Sequence, residues 1–150
     1  MTDDIEGVLP YIAPEVLGKK PYTKQSEVYS LSMIMWELTS GKPPFTEYNH
    51  DIDLALLILD GKRPEIVEGT PDFYSNIMMR CWDANPENRI QPSLLPKLFE
   101  EMLDLCKFID NSEFSKVSII PTQNFAYTPM TTEQFTTTNR KGIEPGKVRF

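Results

Sequence analysis

The sequence predicts a mainly α fold, a helical body followed by a flexible C-terminal tail, and three observations carry that expectation. From Lys24 to Ser40 there is no proline or glycine, and apolar side chains recur on nearly every side of a helix. Three later stretches repeat apolar stripes at helical spacing between start and stop signals. After Lys107 the periodicity fades into Thr-rich sequence with Pro129 and Pro145. Strand patterns are weak throughout. The chain therefore divides into residues 1–22, 23–106 and 107–150.

Residues 1–22 hold Gly7, Pro10, Pro14, Gly18 and Pro21, a density of breakers that suits a structured loop with at most one short helical turn, after Pro14. The first long helix follows, with Val28, Tyr29, Leu31, Met33, Ile34, Met35, Trp36 and Leu38 around its circumference, and Gly41 with Pro43 and Pro44 stops it. A helix apolar all round belongs in the middle of a domain. Ile52, Ala55, Leu56, Ile58 and Leu59 form a second, shorter helix, opened by Asn49 or Asp51 as a cap and closed by Gly61. A third helix should start with Thr70 as N-cap and Pro71 in its first position, and carry the stripe Phe73, Ile77 and Cys81. The last carries Leu95, Leu98, Phe99, Met102 and Leu105 or Cys106. It should start near Ser93, because Pro96 is tolerated only in a first turn.

With 40% hydrophobic and 25% charged side chains, 150 residues suffice for one modest core. The formal net charge of −7 argues against a nucleic-acid or anionic-membrane partner, which attracts clustered Lys and Arg. Residues 31–38, the longest apolar run, are interrupted by Ser32 and Glu37 and fall far short of the roughly 20 residues a membrane span needs. The opening "MTDDIEG" has neither the basic nor the apolar region of a secretory signal, so a cytoplasmic or nuclear location is expected. Cys81 and Cys106, each among apolar neighbours, are expected as small buried hydrophobes, and the lone His50 cannot complete a zinc site with them.

Three motifs stand in order: "APE" at Ala13, Pro14 and Glu15; "SEVYSLSMIMWELTSGKPPF" from Ser26; and "RCWDANPENRIQP" at residues 80–92. Together they resemble the C-terminal lobe of a eukaryotic protein kinase, from the end of the activation segment onward, and the wording of the last motif is similar to the tyrosine-kinase-like group of mostly Ser/Thr kinases. The resemblance covers residues 7 to about 106. It implies the helical C-lobe portion of the kinase fold, with residues 1–22 as the end of the activation segment and the substrate-facing loop. It also implies an ion pair between Glu15 and Arg89 that pins that loop to the helical body, a bidentate geometry suited to guanidinium and carboxylate. Gly7, Val8, Leu9, Pro10 and Tyr11 fall where the family has its substrate-facing loop. Val8 replaces a common threonine, and loop packing is as good a reading of Val8 and Leu9 as peptide binding. Glu27 stands where the family has an aspartate that anchors the catalytic loop to the central helix, and Ser32 where it most often has glycine.

Phosphoryl transfer from ATP needs a Gly-rich loop over the phosphates, a strand lysine, an Asp and an Asn on magnesium, and an Asp at the attacking hydroxyl. None is present in these 150 residues. The seven glycines nowhere form G-x-G-x-x-G; "HD" at His50 and Asp51 and "DFY" at Asp72, Phe73 and Tyr74 are incomplete and lie after "APE", where the family motifs precede it. The family uses ATP and magnesium, but this chain is expected to hold no cofactor, metal or catalytic residue of its own. On the family architecture the expected reading is an N-terminally truncated lobe, inactive alone, with apolar surface left wet. Its partners would be the missing kinase half, another protein, or a second copy through that surface. The competing reading is a non-catalytic, pseudokinase-like interaction module using the exposed apolar face or residues 51–60. Thr2, the only Ser or Thr ahead of "APE", is a weaker candidate phosphosite.

Overall fold

A computed structural model describes residues 7–108. Five α-helices run α1 (Pro14–Leu17), α2 (Lys24–Ser40), α3 (Ile52–Leu59), α4 (Asp72–Cys81) and α5 (Leu95–Phe108), with 3-10 turns at Leu9–Tyr11, Pro86–Asn88 and Pro92–Leu94. No strand occurs among the described residues. Thr2 and the tail beyond Phe108 lie outside them.

The central helix has the bounds that its breakers dictate. Thr23 accepts a hydrogen bond from the Ser26 amide while the Ser26 hydroxyl accepts one from the Thr23 amide, a reciprocal cap that satisfies two otherwise orphaned donors. At the other end Gly41 takes the left-handed conformation (φ 70°) that a side chain resists. Asp51 opens α3, accepting from the Asp53 and Leu54 amides, and Gly61 (φ 97°) follows its end. Asp51 and Asp72, which mimic fragments of catalytic motifs, are thus helix-start residues, and Phe73 and Tyr74 serve packing.

Four expectations need correction. The first 22 residues hold two helical turns, because Pro10 sits inside a 3-10 turn that its fixed φ favours. Helix α4 begins one residue later than expected: Pro71 is the N-cap, and the Thr70 hydroxyl instead donates backward to the Val67 carbonyl at 2.7 Å. Helix α5 proper starts at Leu95, two residues past Ser93, since Pro92 opens a tighter 3-10 turn first. Cys81 is fully buried, but Cys106 is exposed near the end of α5.

Helix α2 packs on α4 and on the Leu9–Tyr11 turn, while α1 packs on α3. One core gathers Val16, Leu17, Tyr29, Met33, Trp36, Leu54, Ile58 and Met78; a smaller cluster of Val28, Cys81, Ile90 and Leu95 seats the start of α5. Polar clamps fix the register of these contacts. Tyr74 donates to the Met35 carbonyl (2.8 Å), Trp36 to the Glu65 carbonyl (2.7 Å) and Ser30 to the Tyr11 carbonyl (2.7 Å). Burying apolar surface drives these helices together, but it does not direct them; the clamps do.

Tyr29 is completely buried, and its hydroxyl has no hydrogen-bond partner. Its ring nevertheless has two cationic neighbours, the guanidinium carbons of Arg63 and Arg89 lying 4.9 and 5.3 Å from the centroid. Each such contact contributes on the order of 0.5–2 kcal/mol. Tyr29→Phe, which keeps the ring and removes the unpaired hydroxyl, should leave the urea midpoint unchanged or raised. Tyr29→Leu should lower stability by about 2 kcal/mol or more, through lost packing and lost ring contacts.

Candidate functional site: the loop anchored by Arg89

Arg89 emerges from the Pro86–Asn88 turn and is 2% exposed, the only charged residue so deeply buried among those described. A guanidinium taken out of water must have its charge and its donors satisfied. Nη1 and Nη2 each donate to one oxygen of the Glu15 carboxylate at 2.7 Å, a bidentate fork. Nη1 also donates to the Gln25 carbonyl at the start of α2, and Nε to the Asp83 carbonyl just past α4, both at 2.8 Å. One side chain thereby joins the Ala13, Pro14 and Glu15 segment to the first turn of α2 and the end of α4. Ala13 and Pro14 are buried beside it, and Pro14 opens α1 as a first-turn proline.

Arg63 is the second cation of the cluster, and the sequence reading missed it. Its Nε donates to the Trp82 carbonyl (2.9 Å) and its Nη1 to the Ile58 and Lys62 carbonyls (3.2 and 2.7 Å). No carboxylate lies within salt-bridge distance of it among the described residues. The charge is met instead by carbonyls at the negative ends of α3 and α4 and by the Tyr29 ring. Burial lowers its pKa, and the nearby Arg89 adds to that, while Tyr29 acts against them. A lone arginine in a non-helical stretch between Gly61 and Pro64 was the available signal.

The five loop residues divide by exposure. Leu9 and Pro10 are buried, Gly7 and Val8 exposed, and Tyr11 half-buried. Val8 is 63% exposed; its carbonyl accepts from the Tyr11 amide, and its side chain points no polar group anywhere. Tyr11 donates to the Glu37 carboxylate at 2.5 Å, a second tie from loop to central helix. Glu27 is exposed, and no described residue bonds to its side chain. Ser32, fully buried, is satisfied within α2 by donating to the Tyr29 carbonyl. No group of three or more His, Cys, Asp or Glu among the described residues is placed to hold a metal ion. No described helix is long and apolar enough to cross a membrane.

The chain belongs to the protein kinase family: the model of the family described as protein tyrosine and serine/threonine kinase matches residues 2–98. Among curated proteins it is 34% identical to the dual specificity protein kinase zak2 of Dictyostelium discoideum over 121 residues, 75% of this chain and 18% of that protein. It is 33% identical to the dual specificity protein kinase zakA of the same organism over 120 residues, 76% of this chain and 14% of that one. A probable serine/threonine-protein kinase of Dictyostelium discoideum, DDB_G0276181, is 34% identical over 87 residues, 58% of this chain and 6% of that protein. The chain thus spans less than a fifth of the length of these relatives. Its described residues form the helical C-lobe portion of the kinase fold.

Burial first, then the hydrogen bond and negative charge of Glu37, push the Tyr11 phenol up to about 12. An unfolded tyrosine ionises near 10. The folded state therefore holds a proton that the unfolded state has lost. Its contribution is intact below pH about 10 and disappears as pH rises through about 12. Denaturant midpoints measured across that window should fall with pH, and the part of the fall due to Tyr11 should shrink in Glu37→Gln.

Proposed function

We propose that this chain supplies the substrate-side part of a Ser/Thr-type protein kinase domain and transfers no phosphate by itself. The Glu15–Arg89 fork carries the reading: it holds the loop of Gly7, Val8, Leu9, Pro10 and Tyr11 against the helical body, as a peptide-facing surface beside a phosphate donor requires. Glu15 and Arg89 act as a positioning pair in this proposal, and Glu27 as the anchor for a catalytic loop. ATP, magnesium and the residues that hold them would come from sequence that residues 1–150 do not contain.

The outward face of α2 supports the same reading. Glu27, Leu31, Ile34 and Leu38 follow one another at helical spacing; Leu31 is half-buried, while Ile34 and Leu38 are 47% and 75% exposed. An apolar stripe of this kind is surface that another part of a kinase domain would cover. The same stripe favours the second reading, a non-catalytic interaction module, if the covering surface belongs to another protein or a second copy.

Two measurements test the proposal, and the second separates it from the interaction module. The purified chain should show no phosphate transfer, and its melting temperature should be indifferent to millimolar magnesium-ATP; an upward shift would mean that nucleotide binds the native form. Residues 7–108 exchanged for the aligned segment of zak2 should leave a chimera that still phosphorylates protein substrates. A folded chimera without activity would favour the interaction module.

A further inference from the structure

Helix α3 is the element whose composition the fold explains least. Seven of its eight residues, all but Asp53, are apolar. A helix resting on one side of a core has room for about half of them. Leu54, Ala55 and Ile58 are fully buried and Leu59 mostly so, but Ile52, Leu56 and Leu57 are left 39%, 40% and 37% exposed. At about 100° per residue, Asp53 and the cap residue Asp60 fall between Leu56 and Leu57 on the outward arc. Asp53 and Asp60 are both exposed, and the arc holds no basic side chain. A surface helix under no other constraint would carry lysine and glutamate outward. This one carries leucine, isoleucine and carboxylates.

We infer that the outward face of α3 is a docking surface for a protein segment that interleaves apolar and basic side chains, its apolar groups seated on Ile52, Leu56 and Leu57 and its Lys or Arg residues facing Asp53 and Asp60. Charge complementarity selects this occupant. A second copy would bring the same carboxylates against each other, and an acidic segment would be repelled. Apolar anchors supply most of the affinity at such a surface, and the charges set partner choice and the rate of encounter. The face belongs to α3 alone and is distinct from the α2 stripe, so the inference stands whether or not the chain takes part in phosphate transfer.

The test uses the full chain and a labelled synthetic peptide alternating Leu and Arg, with two controls in which each Arg becomes Glu or each Leu becomes Ser. Fluorescence anisotropy gives Kd at low and moderate salt. Saturable binding is expected for the Leu/Arg peptide only. Ile52→Ser with Leu56→Ser should raise Kd about tenfold or more, as loss of anchoring residues does. Asp53→Asn with Asp60→Asn, which touches no buried group and leaves the Asp51 cap intact, should raise Kd and flatten its salt dependence. Ile34→Ser with Leu38→Ser, on α2, should leave Kd unchanged. Absence of saturable binding, equal binding of the Glu peptide, an unchanged Kd in the Asn pair, or an equal loss in the α2 pair would each overturn the assignment. So would a homodimer that the Ile52 and Leu56 substitutions dissociate.

Discussion

The buried guanidinium of Arg89 is the one polar group described that ties three sequence-remote segments of this lobe together. A charge in that position has two fates: it is surrounded by acceptors, or the fold around it fails. Here its acceptors come from three places remote in sequence, the carboxylate of Glu15, the carbonyl of Gln25 and the carbonyl of Asp83. Satisfying one side chain therefore fixes the loop, the start of the central helix and the end of α4 relative to one another. Its helical turns are too short to be stable alone, and among the described residues the fork adds to the apolar packing of Leu9, Ile12, Ala13, Val16 and Leu17 and to the Tyr11 and Ser30 hydrogen bonds to the central helix.

Arg63 shows the same chemistry solved differently. Arg89 finds a carboxylate; Arg63 finds helix ends and an aromatic face. Both guanidiniums approach the Tyr29 ring, whose buried hydroxyl is unpaired along with Arg63 Nη2 and Gln25 Oε1. Two like charges around one ring repel. The arrangement persists because the carbonyls past α4, those of Trp82 and Asp83, accept one guanidinium each. Specific placement of helix ends, more than burial of area, is what this cluster stabilises.

Legibility in the sequence followed the range of the physics. Helices α2 and α3 were plain because their signals are local: runs without breakers, an Asp cap before α3, a glycine beyond each end. The N-terminus of α4 was misread by one residue because the Thr70 hydroxyl had two local roles open to it, accepting from a first-turn amide or donating backward, and the bond to the Val67 carbonyl won. Exposure of Cys106 was invisible because it depends on where α5 outruns its neighbours. Arg63 was missed because "GKRPE" offers an arginine between breakers as its only local cue, and its partners are a tyrosine thirty-four residues earlier and a carbonyl nineteen residues later. Glu15 and Arg89, seventy-four positions apart, were paired on family resemblance; composition and periodicity gave no reason to join them.

The most direct test of Arg89 as the tie between loop and helices is a double-mutant cycle on urea unfolding with Glu15→Leu, Arg89→Met and the two combined. Arg89→Met removes all four of its acceptors' partners at once, whereas Glu15→Leu leaves a buried guanidinium with its charge unanswered. If the fork couples the two elements, the single changes should be non-additive, with an interaction energy of about 1–3 kcal/mol. Additive effects would show that loop and body are held together by their other contacts, and that the fork is a consequence of their packing.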